Sequence, residues 1–341
     1  MLRAMKATVY RQYGGPEVVE RTQVDRAEPA PDELLIRTSA VGLNPVDVMQ
    51  RNGSFKALDP FTFPKVAGNE LSGTVEKVGS AVTSFAVGDE VVARVGVSGL
   101  GAFADFVAVR ADWVAKAPRE LSLVDAAGLP LAGLTAQQAL SADHLAVGQG
   151  DRLLITGASG GVGLTAVQLA KLAGAHVTVT ASEKGESLVR EAGADTVINY
   201  TQRSVAEGGE RFDKVFDLVG GDQVAELFQS VEAGGSVVSV SGAPTPGSLE
   251  SAAAPKRRLL AKIASRLGSV SIRRAAKQAG VHYEFFLMRP DGAGLTDLVR
   301  LVDDGKLRLT VDTVYPLDEY RAAFEHLESR RAKGKIVIDW S

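Results

Sequence analysis

Arg152-Leu-Leu-Ile-Thr-Gly-Ala-Ser-Gly-Gly-Val-Gly163 is the stretch on which the fold turns. Residues 152–156 read as a buried strand, because a short apolar run stops at glycines before a helix could form. From residue 164 to 172 the pattern changes, with Leu164, Val167, Leu169 and Leu172 close to helical spacing. Strand, glycine turn and helix therefore follow in order. A phosphate needs backbone N–H groups at a helix N-terminus, with no side chain blocking its approach. Ser159, Gly160, Gly161, Val162 and Gly163 are the candidate residues. Gly160 admits a pyrophosphate, and Gly163 lets helix and strand approach each other. Ala158 stands where the G-x-G-x-x-G fingerprint has its first glycine, so context rather than the bare motif supports a dinucleotide. The alternative is a purely structural glycine turn.

Reading outward, strand runs continue at His176-Val-Thr-Val-Thr180, Thr196-Val-Ile198, Lys214-Val-Phe-Asp-Leu-Val219 and Gly235-Ser-Val-Val-Ser-Val240, with helical patterns between them. Such alternation implies an α/β fold with a doubly wound, mostly parallel sheet. Residues 243–254 read as a loop after the last parallel strand. Upstream the texture differs: Ala7-Thr-Val-Tyr10, Glu33-Leu-Leu-Ile-Arg37, Gly73-Thr-Val-Glu-Lys-Val78 and Glu90-Val-Val-Ala-Arg94 are short and separated by turn residues. That pattern suggests a small β-barrel or sandwich. A helix-like stretch at 319–330 and the strand Lys335-Ile-Val-Ile338 are expected to rejoin it. The expected domains are residues 1–120 completed by 291–341, and residues 121–290.

The second strand of the parallel set decides which dinucleotide fits. An NAD site places Asp or Glu at its end, about twenty residues past the glycines, to hold the ribose hydroxyls. Here the strand ends Thr178-Val-Thr-Ala-Ser182, with Lys184 two residues on. Small residues and a cation suit a 2′-phosphate, which favours NADPH, provided that Glu183 points outward.

Composition narrows the functional classes. The 341 residues are too many for one ordinary core and suggest two domains. With 45% hydrophobic and 23% charged residues, disorder is disfavoured. Lys and Arg number 38 against 41 Asp and Glu, a net charge of −3 that offers no global field for nucleic acid. The absence of cysteine removes disulfides, thiol nucleophiles and cysteine-ligated metals. Residues 1–10 hold Arg3 and Lys6 but no signal-length apolar run, and the uncharged stretch 126–142 is too short and polar to span a bilayer. A cytoplasmic protein is expected.

Further stretches carry a resemblance: Ala40-Val-Gly-Leu-Asn-Pro-Val-Asp47, Ala67-Gly-Asn-Glu-Leu-Ser-Gly-Thr-Val75, Val87-Gly-Asp-Glu-Val91, Leu129-Pro-Leu-Ala-Gly-Leu-Thr-Ala136, the glycine turn and Gly334-Lys335. Over nearly its whole length the chain resembles the medium-chain dehydrogenase/reductases, in particular their zinc-free quinone oxidoreductase branch. The resemblance implies a GroES-like catalytic domain, a Rossmann domain, a cleft between them for NADPH and substrate, and a homodimer. Zinc-dependent relatives carry catalytic ligands at three places that this chain fills with Asn44, Asn69 and Ala132. By the same resemblance Thr135, Ser182, Lys184, Tyr200, Leu218, Val219, Gly220, Ser241, Phe285 and Phe286 join the glycine turn in holding the cofactor.

The implied chemistry is direct hydride transfer to a quinone or an α,β-unsaturated carbonyl, whose developing enolate needs a hydrogen bond. Asn44 is the candidate donor, with a structural asparagine before Pro45 as the alternative reading. Asp47 orients backbone or substrate, or caps the helix after it. An enoyl-thioester reductase, or a non-catalytic NADPH-binding protein with an RNA-binding or structural role, are the competing functions. Residues 255–277 contain eight Lys or Arg and no acid, with Leu259, Leu260, Ile263 and Leu267 at amphipathic spacing. This segment can meet an anionic membrane; the favoured reading is a packed amphipathic helix with a solvated basic face.

Overall fold

The computed structural model describes residues 4–96, 101–250 and 253–340. Arg3, and positions 251–252 of the expected loop, lie outside the described residues. The chain divides into two compact units, one formed by residues 1–134 with 289–341 and the other by residues 135–288.

The first unit begins with β1 (Ala4–Tyr10), β2 (Val19–Asp25), β3 (Glu33–Leu43), α1 (Pro45–Arg51), β4 (Lys65–Val66), β5 (Glu70–Val78), β6 (Glu90–Arg94), β7 (Phe106–Arg110) and β8 (Val114–Lys116). It continues through α2 (Leu123–Ala126) into the start of α3 (Leu129–Leu140), segments that the sequence reading assigns to the second domain. They side with the strands because α2 packs on β3 and β5, and Leu131 N–H donates to the Glu70 carboxylate of β5 at 2.6 Å.

The second unit carries β9 (Arg152–Ile155), α4 (Gly161–Leu172), β10 (His176–Ala181), α5 (Glu183–Glu191), β11 (Thr196–Asn199), β12 (Phe212–Asp217), α6 (Gln223–Leu227), β13 (Val231–Ser239), α7 (Arg258–Gly268), α8 (Val270–Ala279) and β14 (His282–Phe285). Its six strands are all parallel, in the order β11-β10-β9-β12-β13-β14. The order reverses beside β9, the switch point at which doubly wound sheets bind ligands. One expectation is corrected here. The loop after residue 242 does not follow the last parallel strand, since β14 pairs with β13 further on. His282-Tyr-Glu-Phe285 mixes polar and aromatic residues and lacks the aliphatic run that marked the other strands.

The chain then returns to the first unit through α9 (Gly292–Asp303), β15 (Val311–Pro316), α10 (Tyr320–Glu328) and β16 (Lys335–Asp339). β3 is the hub of the seven-stranded sheet. It pairs along one edge with β5, and along the other with β7 over residues 33–37 and β16 over residues 40–43. Leu34, Ile36, Val41 and Leu43 bury themselves in a core shared with Phe103, Phe324 and Trp340. That alternation of inward apolar residues is what makes the run a strand.

Candidate functional site

In the second unit the strand ends converge. β9 runs into the glycine turn, held by Gly157 N–H donating to Thr180 Oγ1 at 2.9 Å and Ala158 N–H to Thr180 O at 3.1 Å. Ala158 is fully buried, which accounts for its place in the fingerprint. A Cβ at Gly163 would lie 2.5 Å from the Cα and carbonyl oxygen of Ala158, so only glycine lets α4 start there. Gly160 is different. A Cβ there would meet nothing nearer than Gly157 O at 3.9 Å, so packing within the chain does not demand glycine. The space it leaves lies at the N-terminus of a twelve-residue helix, where unpaired N–H groups favour an anion. The turn thus fits a dinucleotide pyrophosphate.

The neighbouring strand ends extend the cradle. Ser182 follows β10 at the start of α5, half-buried, and its hydroxyl makes no capping bond to the helix among the described residues. Tyr200 follows β11, and its N–H donates to Ala181 O at 3.4 Å, which sets it beside Ser182. Its side chain is 59% exposed, and Lys184 and Glu183 are exposed as well. Gly185 comes close to Ser159, joining the start of α5 to the glycine turn. On the other side of β9, Leu218, Val219 and Gly220 follow β12, with Val219 over Gly157. Ser241 Oγ donates to Leu218 O at 3.1 Å.

One organiser of this edge is absent from the sequence reading. Buried Asp217 accepts hydrogen bonds from Thr156 Oγ1 at 2.8 Å, Ser239 Oγ at 2.6 Å and the N–H groups of Val219 and Gly220. Its signal was a carboxylate closing the apolar run Lys214-Val-Phe-Asp217, which a buried strand tolerates only if fully paired. The aromatic pair is placed differently from Ser182 and Tyr200. Phe285 and Phe286 are both buried, and the Phe286 ring packs 4.4 Å from His144 within the core. Thr135 is buried on α3.

The first unit holds Asn44 and Asp47 in a buried polar network. Asn44 precedes α1, and its N–H donates to Asp47 Oδ2 at 2.8 Å, so Asp47, the third residue of the helix, caps its N-terminus. The Asn44 amide spends both hydrogens internally, on Glu70 Oε1 at 2.7 Å and Gly42 O at 3.3 Å. Its oxygen accepts from Lys335 Nζ at 2.5 Å. Asn44 is therefore not an open donor in this structure, because its hydrogens already satisfy buried acceptors. Lys335 also donates to Glu70 Oε1 at 2.7 Å and to Leu43 O at 3.0 Å. Asn69 donates to Asp47 Oδ1 at 2.6 Å and to Gln50 Oε1 at 2.7 Å, and Arg94 donates to Asn69 O at 3.0 Å. Burial raises the Asp47 carboxyl to about 6, against the pull of its bonds to Asn69 and Asn44. Burial likewise lowers the Arg94 guanidinium to about 10, with Glu70 and Asp47 opposing. Two of the three positions where zinc relatives have ligands are thus neutral amides engaged with a protein cation and carboxylates.

Known proteins match this architecture along its length. A family model described as an alcohol dehydrogenase GroES-like domain matches residues 30–119, and one described as a zinc-binding dehydrogenase matches residues 192–338. An Arabidopsis thaliana protein named NADPH-dependent alkenal/one oxidoreductase, chloroplastic, is 32% identical over 98% of this chain and 80% of its own. The solved quinone oxidoreductase of Coxiella burnetii is 31% identical, with a TM-score of 0.86 over 99% of this chain and 100% of that one. The Escherichia coli quinone oxidoreductase, solved in complex with NADPH, is 27% identical with a TM-score of 0.79 over 98% and 99% of the two chains.

Proposed function

The chain belongs to the medium-chain dehydrogenase/reductases, in their zinc-free quinone oxidoreductase branch, and from that premise we propose that it reduces quinones or α,β-unsaturated carbonyl compounds with NADPH. The observation that carries the reading is the cradle at Gly160, open at the start of α4 and flanked by a strand end without a carboxylate. NADPH, when bound, supplies the hydride. The chain's own residues bind and orient it. The glycine turn takes the pyrophosphate on backbone N–H groups, and Ser182, Lys184 and Tyr200 take the 2′-phosphate with two hydroxyls and a cation. Asp217 holds the Leu218–Gly220 backbone fixed, so the strand ends meet the cofactor without reorganising. Asn44 and Asp47 act as positioning residues, since their polar atoms tie α1 to β5 and β16.

The relatives' names support NADPH-dependent reduction of alkenals, enones and quinones as the substrate range. We extend the reading to a cytoplasmic homodimer. In support of the dimer, β14 lies at an edge of the six-stranded sheet, which a second copy can extend; light scattering measures the state. The functional test is an acceptor screen with NADPH across quinones, short enones, alkenals and enoyl thioesters, before and after dialysis against a strong chelator. NADPH oxidation with a quinone or an enone, unchanged by the chelator, is the expected outcome. NADPH binding without turnover on any acceptor returns the non-catalytic reading.

A further inference from the structure

The helix α7 is turned inside out relative to an ordinary surface helix. It rests on its unit through small residues, with Ala261 and Ser265 buried and Ser265 Oγ accepting from Gly247 N–H at 3.3 Å. Its large apolar residues face away. Leu259 and Leu267 are each 71% exposed, Leu260 54% and Ile263 49%, and Val270 at the start of α8 is 57% exposed. The packed amphipathic helix favoured by the sequence reading is therefore corrected: the apolar stripe is the solvent face. A globular helix buries that stripe, and contiguous exposed apolar surface marks an interaction site.

Charge identifies the partner. At one hundred degrees per residue, Arg258, Lys262 and Arg266 form a row between the buried face and the apolar stripe. Arg273, Arg274 and Lys277 on α8 are exposed as well. From residue 251 to 283 the sequence contains no acidic residue; the one described ion pair to α7 is Lys262 with Glu250, at 3.8 Å. We propose that α7 docks this protein on an anionic bilayer surface, its leucines entering the headgroup boundary and its basic row lying against lipid phosphates. Long basic side chains reach outward past such an apolar face, which is the arrangement of interfacial helices. An antiparallel second copy fits poorly, because that two-fold contact sets basic row beside basic row. Among the described residues no helix is long and apolar enough to cross a membrane, so the contact is interfacial.

Vesicle flotation of the full chain tests the proposal, using phosphatidylcholine vesicles with and without phosphatidylglycerol. Wild type should float only with the anionic vesicles, and raised salt should weaken the binding. Lys262→Glu with Arg266→Glu, and separately Leu259→Gln with Leu267→Gln, should each lower the bound fraction by about tenfold or more. Both pairs lie on exposed positions, so turnover of a water-soluble quinone and the circular dichroism spectrum should stay as in wild type; a pair that fails this control is set aside and the other decides. Absence of flotation, equal binding to neutral vesicles, or binding untouched by both pairs overturns the proposal. So does a wild-type oligomer that the leucine pair dissolves, which would make the face a contact between copies.

Discussion

Asp47 shows what one buried carboxylate does when its neighbours are amides as well as cations. It is fully buried, with Asn69 and the Asn44 N–H as hydrogen-bond donors. Burial outweighs them and raises the carboxyl to about 6. An unfolded aspartate releases its proton near pH 4, so between about pH 4 and pH 6 the folded chain binds more protons than the unfolded one. Stability from this group is therefore complete below that window and falls as pH rises through it, by about 3 kcal/mol. Asp47→Asn cannot ionise, and its NH2 must oppose one of the two donors, which costs about 1–3 kcal/mol. Wild type should exceed the variant most near pH 4, and the gap should close or reverse by pH 7. Denaturant unfolding of both proteins across that range measures it; a gap that widens with pH means the network stabilises the ionised carboxylate.

At the scale of elements, cofactor choice rests on the residues just past the ends of β10 and β11. Tyr200 N–H bonds to Ala181 O, so the two strand ends present Ser182 and Tyr200 side by side, with Lys184 on the first turn of α5. Hydrogen bonds to charged groups contribute about 1.5–3 kcal/mol each, and exposure at this edge trims that by screening. A preference for NADPH over NADH of tens-fold is expected. Ser182→Asp should erode it by repelling the 2′-phosphate, while Lys184→Ala should weaken NADPH and leave NADH nearly unchanged. Titration of both cofactors against the three proteins checks this, and equal wild-type affinities would show that the strand end is misread. The order of strand, glycine turn and helix was legible because each signal is local. β14 was not, because its mixed composition carries no aliphatic run. Nor was the outward stripe of α7, since periodicity shows that a helix has two faces and not which one packs.

Across the whole molecule, the first unit is closed by residues far apart in the chain. The chain leaves it at Leu134, builds the second unit and returns at Arg289. β16 then pairs with β3 and delivers Lys335 to Glu70, a partner 265 residues away. Sequence reading names both residues in separate motifs yet has no means of joining them, because nothing local in either strand encodes the other. Glu70 is fully buried and Lys335 nearly so, with Asn44 between them. An ion pair removed from water gains little over an apolar pair of like shape, whereas one partner left alone is costly. Lys335→Met should therefore destabilise the protein by about 3–5 kcal/mol, since the Asn44 amide and Leu131 N–H that still bond Glu70 carry no charge, and the Arg94 guanidinium, which Glu70 also influences, donates instead to the carbonyls of Asn69 and Val95. Adding Glu70→Gln removes the orphaned charge while keeping an acceptor for Leu131, and should recover at least half of the loss. Unfolding of wild type, both single variants and the double variant closes the cycle. If the double variant is no more stable than Lys335→Met alone, the lysine holds β16 to β3 by packing its stem rather than by its charge.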